Sequence, residues 1–358
     1  MLVESTDYSL GDACPLDLID QPVPSACDFN VSQELRTPLT AIQVALDLLG
    51  SGKLGNLSET GQRMVEIATS NADRLLRLAS AIDQQSLNLG GLLSHTELER
   101  LRLEADLELA IERRELRLQY QPIVWLHSGQ VIGLEALLRW QHPIFGNISP
   151  ATFIPLAETS GLILQLGDWV LRSACQQLQT WQHRDPDSFQ SLSISVNLSS
   201  KQLSCPGLAL QVGQTLQEAG LAARHLRLEI TESGVMDDAK IARQNLSQLH
   251  DLGVQLYIDD FGTGFSSLSR LCELPLDVLK IDRSFVQQLD SQKGRLLVRA
   301  IINLAHNLGI DVIAEGVETA EQVTQLQALG CSRGQGFFFA KPIDSLAVET
   351  LLGQTWQR

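Results

Sequence analysis

Positive charge is scarce in this chain of 358 residues: 27 Lys and Arg stand against 42 Asp and Glu, for a formal net charge of −15. That balance argues against a nucleic-acid polymer as the main partner, because phosphate binding needs clustered Lys and Arg. It leaves room for a small phosphate ligand held through metal ions. The six cysteines, Cys14, Cys27, Cys175, Cys205, Cys272 and Cys331, include no Cys-x-x-Cys pair and no nearby His at zinc-ligand spacing, which argues against a zinc module. Thiols scattered this way fit a reducing cytosol, with a Cys14–Cys27 disulfide as the alternative. No apolar run approaches the length that spans a bilayer. Glu4, Asp7 and Asp12 near the start leave no basic, then apolar, signal peptide. The expectation is a soluble, cytoplasmic protein with no membrane partner.

What is present is a core and an alternation. Hydrophobic residues make up 44% of the chain, enough for two domains or one large barrel with an accessory element. Residues 1–30 carry Pro15, Pro22 and Pro24 among small and acidic residues and read as a mobile leader. Residues 31–90 read as two helices. Leu35, Leu39, Ile42, Leu46 and Leu49 step by four and three, as do Met64, Ala68, Asn71, Leu75, Leu78 and Ile82. These are a/d seams on either side of the turn from Gly50 to Gly55. A lone hairpin cannot bury both seams, so it is expected to dimerise into a four-helix bundle; a helical cap on the next domain is the alternative.

Residues 96–355 alternate β-rich and helical runs. Strands are predicted at 116–124, 131–138, 192–198, 226–231, 254–259, 277–281, 310–314 and 335–339. Helices are predicted at 166–182, 237–252, 293–308 and 319–329. This spacing predicts an α/β fold, a (β/α)8 TIM-like barrel. A doubly wound open sheet is the alternative, but no Gly-x-Gly-x-x-Gly follows an early strand.

Glu135, Asn197, Glu229, Asp259, Asp260, Lys280 and Glu315 sit at strand-end positions, mostly after β-rich runs. Five carboxylates at one barrel mouth repel one another and call for cations. Oxygen ligands without Cys or His point to Mg²⁺ or Mn²⁺. Asn197 adds a carbonyl ligand without more charge.

These residues lie in a set of runs: Tyr120-Gln-Pro-Ile-Val124, Glu135-Ala-Leu-Leu-Arg-Trp140, Ser195-Val-Asn-Leu-Ser199, Glu229-Ile-Thr-Glu232, Asp259-Asp-Phe-Gly-Thr-Gly-Phe-Ser-Ser-Leu268, Lys280-Ile-Asp282, Ala314-Glu-Gly-Val-Glu318 and Gly334-Gln-Gly336. In this order they resemble the EAL family of cyclic di-GMP phosphodiesterases, over essentially all of 96–355. The resemblance implies that Glu135, Asn197, Glu229 and Asp259 hold one ion. Asp259 and Asp260 would bridge to a second ion, which Glu315 approaches. It implies hydrolysis of cyclic di-GMP to linear 5′-pGpG by a hydroxide held between two ions, with Ca²⁺ inhibitory. Glu315 is the candidate base and Lys280 orients the water or offsets charge. Arg139 is a candidate for a substrate phosphate, with Leu137, Gln121 and Gln335 as further substrate contacts. Glu232 and Glu318 would anchor the loop after Asp260, whose Gly262 and Gly264 supply backbone freedom. Phe265 stands where many relatives carry Tyr.

Ser32-Gln-Glu-Leu-Arg-Thr-Pro-Leu39 resembles the phosphoacceptor helix of sensor histidine kinases. The second position of this run is His in those kinases and Gln33 here. An amide nitrogen, delocalised into its carbonyl, does not accept a phosphoryl group as imidazole does. The segment 31–90 is therefore read as a degenerate kinase hairpin kept for homodimerisation, with Glu34 and Thr37 as ordinary helix residues. Two other readings remain open: a non-hydrolysing cyclic di-GMP receptor, and an adaptor whose hairpin docks a two-component signalling partner.

Overall fold

The computed structural model describes residues 40–42, 45–46, 49, 61, 65, 68–69, 95–232, 234, 240–262, 271 and 273–352. The chain divides into two units, Met1–Leu98 and Glu99–Arg358, each described by itself. In the first, residues 40–42, 45–46 and 49 are helical, as are 61, 65 and 68–69. Thr69 Oγ1 donates to the Val65 carbonyl one turn back, at 2.8 Å. These pieces fall within the two helices predicted for 31–90, and the seam residues Ile42 and Leu49 are exposed. The leader and most of the hairpin, Gln33, Glu34 and Thr37 included, lie outside the described residues.

From His95 onward the elements are α1 (His95–Ala110), β1 (Leu116–Trp125), β2 (Val131–His142), β3 (Gly146–Ile148), α2 (Pro150–Ser160), α3 (Ile163–Arg184), α4 (Pro186–Phe189), β4 (Ser193–Leu198), α5 (Ser200–Leu203), α6 (Leu208–Ala219), β5 (Leu226–Thr231), α7 (Lys240–Asp251), β6 (Gln255–Phe261), β7 (Val278–Ile281), α8 (Arg283–Val286), α9 (Gln292–Asn307), β8 (Asp311–Ala314), α10 (Ala320–Ala328), β9 (Arg333–Gln335) and α11 (Ser345–Leu352). The strands pair in the order β1-β9-β8-β7-β6-β5-β4-β2-β3, and β1 also pairs with β2. That last pairing closes a barrel of eight strands, with β3 a short antiparallel addition to β2.

From β2 round to β9, neighbouring barrel strands run parallel. β1 departs from the simple repeat, being antiparallel to both β2 and β9. Its connection explains this. Only residues 126–130 separate β1 from β2, whereas a parallel crossover needs about a dozen residues or more. The strand predicted at 335–339 lies instead at 333–335. The chain leaves the sheet at Gly336, where an added Cβ would stand 2.1 Å from the Val317 carbonyl oxygen. Phe338 N then donates to that oxygen at 3.0 Å, turning Phe337 and Phe338 outward.

Period-two alternation sorts the side chains. On β5, Leu226, Leu228 and Ile230 join the main apolar layer beneath the helices, while Glu229 points inward to Lys280. A separate buried cluster of Ile123, Tyr257, Val278 and Ile313 lies inside the barrel. Each of these residues is two positions from Gln121, Asp259, Lys280 or Glu315 and supplies an apolar floor beneath it. A satellite core with Leu107, Trp140, Phe153 and Ile163 seats α1 against β2, α2 and α3.

Gly336→Ala should force β9 off the Val317 backbone and cost about 1–3 kcal/mol, as overpacking does. Thermal unfolding should show a lower midpoint. An unchanged midpoint would mean that the 336–338 turn moves without penalty.

Candidate active site

Each barrel strand delivers one polar side chain to a single tier at the C-terminal mouth of the parallel strands. They are Gln121 (β1), Glu135 (β2), Asn197 (β4), Glu229 (β5), Asp259 (β6), Lys280 (β7), Glu315 (just after β8) and Gln335 (β9). The tier is bonded across its whole width. Asn197 Nδ2 donates to Glu135 Oε1 at 2.8 Å. Gln335 Nε2 donates to Glu135 Oε2 at 2.6 Å and to Gln121 Oε1 at 3.1 Å, and Gln121 Nε2 donates to the Ala340 carbonyl at 3.2 Å. Lys280, fully buried, binds the acids on its other side. Its Nζ contacts Glu229, lies 2.5 Å from Glu315 Oε1 and 3.1 Å from Asp259 Oδ1, and is 3.7 Å from Glu135 Oε2.

Consecutive strand residues normally point to opposite faces, yet Asp259 and Asp260 both reach the mouth. The β6–β7 register is irregular between Ile258 and Phe261, and Asp260 adopts φ 54. This left-handed conformation is uncommon for a residue with a side chain. A bulge of this kind re-aims a side chain next to a site. Asp259, Asp260 and Glu315 consequently bring carboxylate oxygens within 4.8 Å of one another. Gly262 N donates to buried Glu232 Oε2 at 2.7 Å, tying down the segment that follows. Gly264, Phe265 and Leu268 lie outside the described residues.

Burial sets the protonation of the tier. It is the main cause that pushes the Glu229 carboxyl up to about 8; neighbouring Glu135 and Asp259 add to the rise and Lys280 opposes it. Burial also lifts Glu315 well above the usual carboxylate range. Asp260 rises to about 6 through burial and through the charges of Asp259 and Asp282. For Lys280 burial acts in the opposite sense, but the four surrounding carboxylates outweigh it and hold the amine charged. Beneath them Arg227 is buried against the Tyr257 ring, 5.4 Å from its centroid, and donates to Gln255 Oε1 and the Ile132 carbonyl. The donor set fits a divalent cation. It is all oxygen, it is acidic, and two of its buried acceptor atoms, Glu229 Oε1 and Gln335 Oε1, have no hydrogen-bond partner. Buried acceptors without a donor are costly, and a cation would satisfy them.

A cavity of about 200 Å³ opens above the tier, lined by Gln121, Glu135, Asp259, Glu315, Glu318 and Gln335 together with Arg283, Gly316, Gly336 and Phe337. Glu318 stands exposed on its rim, with its backbone N–H donating to Gln322. Arg139 and Leu137 line a different, largely apolar cavity of about 290 Å³ that reaches Asn197. The Arg139 guanidinium there donates to Gln119 Oε1 and the Leu138 carbonyl, each at 2.9 Å. Sequence reasoning gave no role to Asp282, Arg283 or Phe337. Asp282 caps α8 and borders Asp260 electrostatically. Its position two residues after Lys280 was the available signal. Arg283 and Phe337 had none, because only the fold brings those loops together.

The family model described as EAL domain matches residues 104–342, and the model described as His Kinase A (phospho-acceptor) domain matches 30–90. Among curated relatives, the bifunctional diguanylate cyclase/cyclic di-GMP phosphodiesterase MucR of Pseudomonas aeruginosa is 46% identical over 250 residues, 68% of this chain and 36% of that protein. The cyclic di-GMP phosphodiesterase NbdA of the same organism is 43% identical over 253 residues, 70% of this chain and 32% of that protein. The chain thus spans about a third of the length of the curated relatives it matches. A solved structure of the MucR phosphodiesterase in complex with cyclic di-GMP superposes with a TM-score of 0.66 at 44% identity, covering 69% of this chain and 99% of that one. The EAL enzyme Bd1971 with cAMP and cyclic di-GMP bound gives 0.69 at 33%, covering 83% and 77%. Among the described residues no helix is long and apolar enough to cross a membrane.

Because Asp260 and Glu229 hold protons up to about 6 and about 8, a cation that takes their oxygens must displace those protons. Mn²⁺ affinity, measured by calorimetry without substrate, should therefore rise between pH 6 and 8 and level off above. A flat profile over that interval would show the acids to be ionised already.

Proposed function

The chain belongs to the EAL domain family, and on that footing we propose that it hydrolyses cyclic di-GMP to linear 5′-pGpG. The observation that carries the reading is the completeness of the tier. Each acid that the reaction needs is present, and Glu135, Glu229, Asp259 and Glu315 lie within 3.7 Å of one ammonium. The naming of MucR and NbdA as phosphodiesterases supports the same substrate. Members of the family depend on divalent metal. Glu135, Asn197, Glu229 and Asp259 would hold one ion, and Asp259, Asp260 and Glu315 a second. Bound there, Mg²⁺ or Mn²⁺ would neutralise phosphodiester charge and make a water acidic enough to attack phosphorus, whereas Ca²⁺ would bind without supporting turnover.

The chain's own groups do the rest. Glu315 is the base: it lines the cavity above the tier, where its carboxylate would take a proton from water. Lys280 supplies a fixed positive charge against the phosphorane-like transition state. Gln121 and Gln335 hold Glu135 in one rotamer through their amide chain. Arg139 presents a guanidinium from the neighbouring cavity to the second phosphate. Glu232 fixes the start of the loop after Asp260 through Gly262, and Glu318 on the rim is assigned to the same loop. The hairpin 31–90 dimerises the chain. Unpaired Cys175, Cys205 and Cys331 accord with a cytoplasmic protein.

Purified protein with Mg²⁺ should convert cyclic di-GMP to pGpG, followed by chromatography. Glu135→Ala should lower turnover by more than the roughly 10–100-fold that loss of an outer partner of a metal ligand costs. Undiminished turnover in that variant would falsify the assignment, and tight binding without turnover in Mn²⁺ would make the chain a receptor instead. Deleting residues 1–90 should give monomers of reduced activity; equal activity would separate the hairpin from catalysis.

A further inference from the structure

We propose that Lys280 is the built-in counter-cation of the carboxylate tier, so that an incoming divalent ion competes with its ammonium for the same oxygens. The inference rests on the reading of these acids as cation ligands and adds how the protein tunes their affinity. An ammonium has three protons to donate. Those of Lys280 face Glu229, Asp259 and Glu315, and Glu135 Oε2 stands 3.7 Å away. These are the residues assigned to the ions. Glu135 is otherwise held by Asn197 and Gln335, neutral donors that a cation need not oppose. Lys280 is thus the one positive group in contact with the tier among the described residues.

Two consequences follow from elementary electrostatics. In the metal-free protein the ammonium offsets part of the desolvation and mutual repulsion of the buried carboxylates. When a divalent ion takes the oxygens of Glu229 and Asp259, a positive charge at ligand distance from the same atoms is repelled. The ammonium must then give up some of its contacts. Its flexible four-carbon stem allows that movement, and Glu315, assigned to the other ion, offers a partner while only the first is bound. The site therefore binds metal more weakly than five carboxylates alone would, and Lys280 sets the difference.

Mn²⁺ titration calorimetry without nucleotide, at one fixed pH, tests this in the full chain. Lys280→Met, which keeps the stem and removes the charge, should bind its first Mn²⁺ about tenfold tighter or more. Lys280→Arg, which keeps the charge, should not. Equal or weaker Mn²⁺ binding by Lys280→Met overturns the inference. A measurement on the unaltered protein guards against a variant that does not fold. The ¹⁵Nζ resonance of Lys280 should move during Mg²⁺ titration, with the half-saturation found by calorimetry, and a resonance that stays fixed while Mg²⁺ binds overturns the inference as well. If the unaltered protein binds no Mn²⁺ at all, the reading of the tier as a cation site fails. If it binds Mn²⁺ normally but Lys280→Met binds no tighter, only the competition fails.

Discussion

One buried ion cluster governs this barrel: the Lys280 ammonium among Glu135, Glu229, Asp259 and Glu315. Burying charges is costly unless each is paired and hydrogen-bonded. The molecule meets that condition in part: the amides of Asn197 and Gln335 donate to Glu135 and the ammonium answers the other acids, while Glu229 Oε1 and Gln335 Oε1 stay without a partner. The same arrangement leaves negative charge in excess, since one lysine faces four acids and Asp260 stands beside them. Arg227, deeper in the barrel, adds a second positive charge without touching a carboxylate. The pairing that makes burial tolerable and the acidity that suits a divalent cation are therefore two aspects of one charge imbalance.

Rigid surroundings make that imbalance usable. The tier rests on the apolar floor of Ile123, Tyr257, Val278 and Ile313, so its side chains cannot sink when charge is rearranged. The bulge in β6 and the left-handed backbone of Asp260 bring a second acid to the mouth from a strand that would otherwise turn it away. Local strain of this sort persists where the surroundings over-determine it. Here the Gly262–Glu232 hydrogen bond and the paired strand on either side of the bulge supply that restraint.

Much of this was legible in the sequence because strands announce themselves by period. The runs around Glu135, Asn197, Glu229 and Lys280 each place the polar residue among β-branched or aliphatic neighbours, and the structure buries Glu135, Glu229 and Lys280 and leaves Asn197 exposed at the mouth. Helices at 163–184, 240–251, 292–307 and 320–328 were anticipated within a few residues for the same reason. Among the longer helices α1, α2, α6 and α11 were not. Yet Pro150 directly after Ser149 is a helix-start signal, and Leu208, Val212 and Leu216 repeat at helical spacing. The antiparallel sense of β1 could have been argued from its short connection to β2. The early exit of β9 could not, because it depends on the closeness of Gly336 to Val317, which no local pattern encodes. The separate cavity holding Arg139 and Leu137 is likewise a tertiary fact: by period two these residues share the strand face of Glu135, and only the packing of α2 and α3 decides what lies there.

The antiparallel insertion of β1 between β2 and β9 has a consequence for how the protein comes into being. Gln335 bonds Glu135 across 200 residues of chain and Gln121 across 214, so the tier joins the beginning of the barrel to its end. Pairings this distant in sequence raise contact order and slow folding. On the ribosome, β1 and β2 emerge as a hairpin whose outer edge has no partner until β9 is synthesised. Until then Glu135 lacks one of its two neutral donors. Completion of the tier thus comes in the same step that closes the barrel, when β9 pairs with β1.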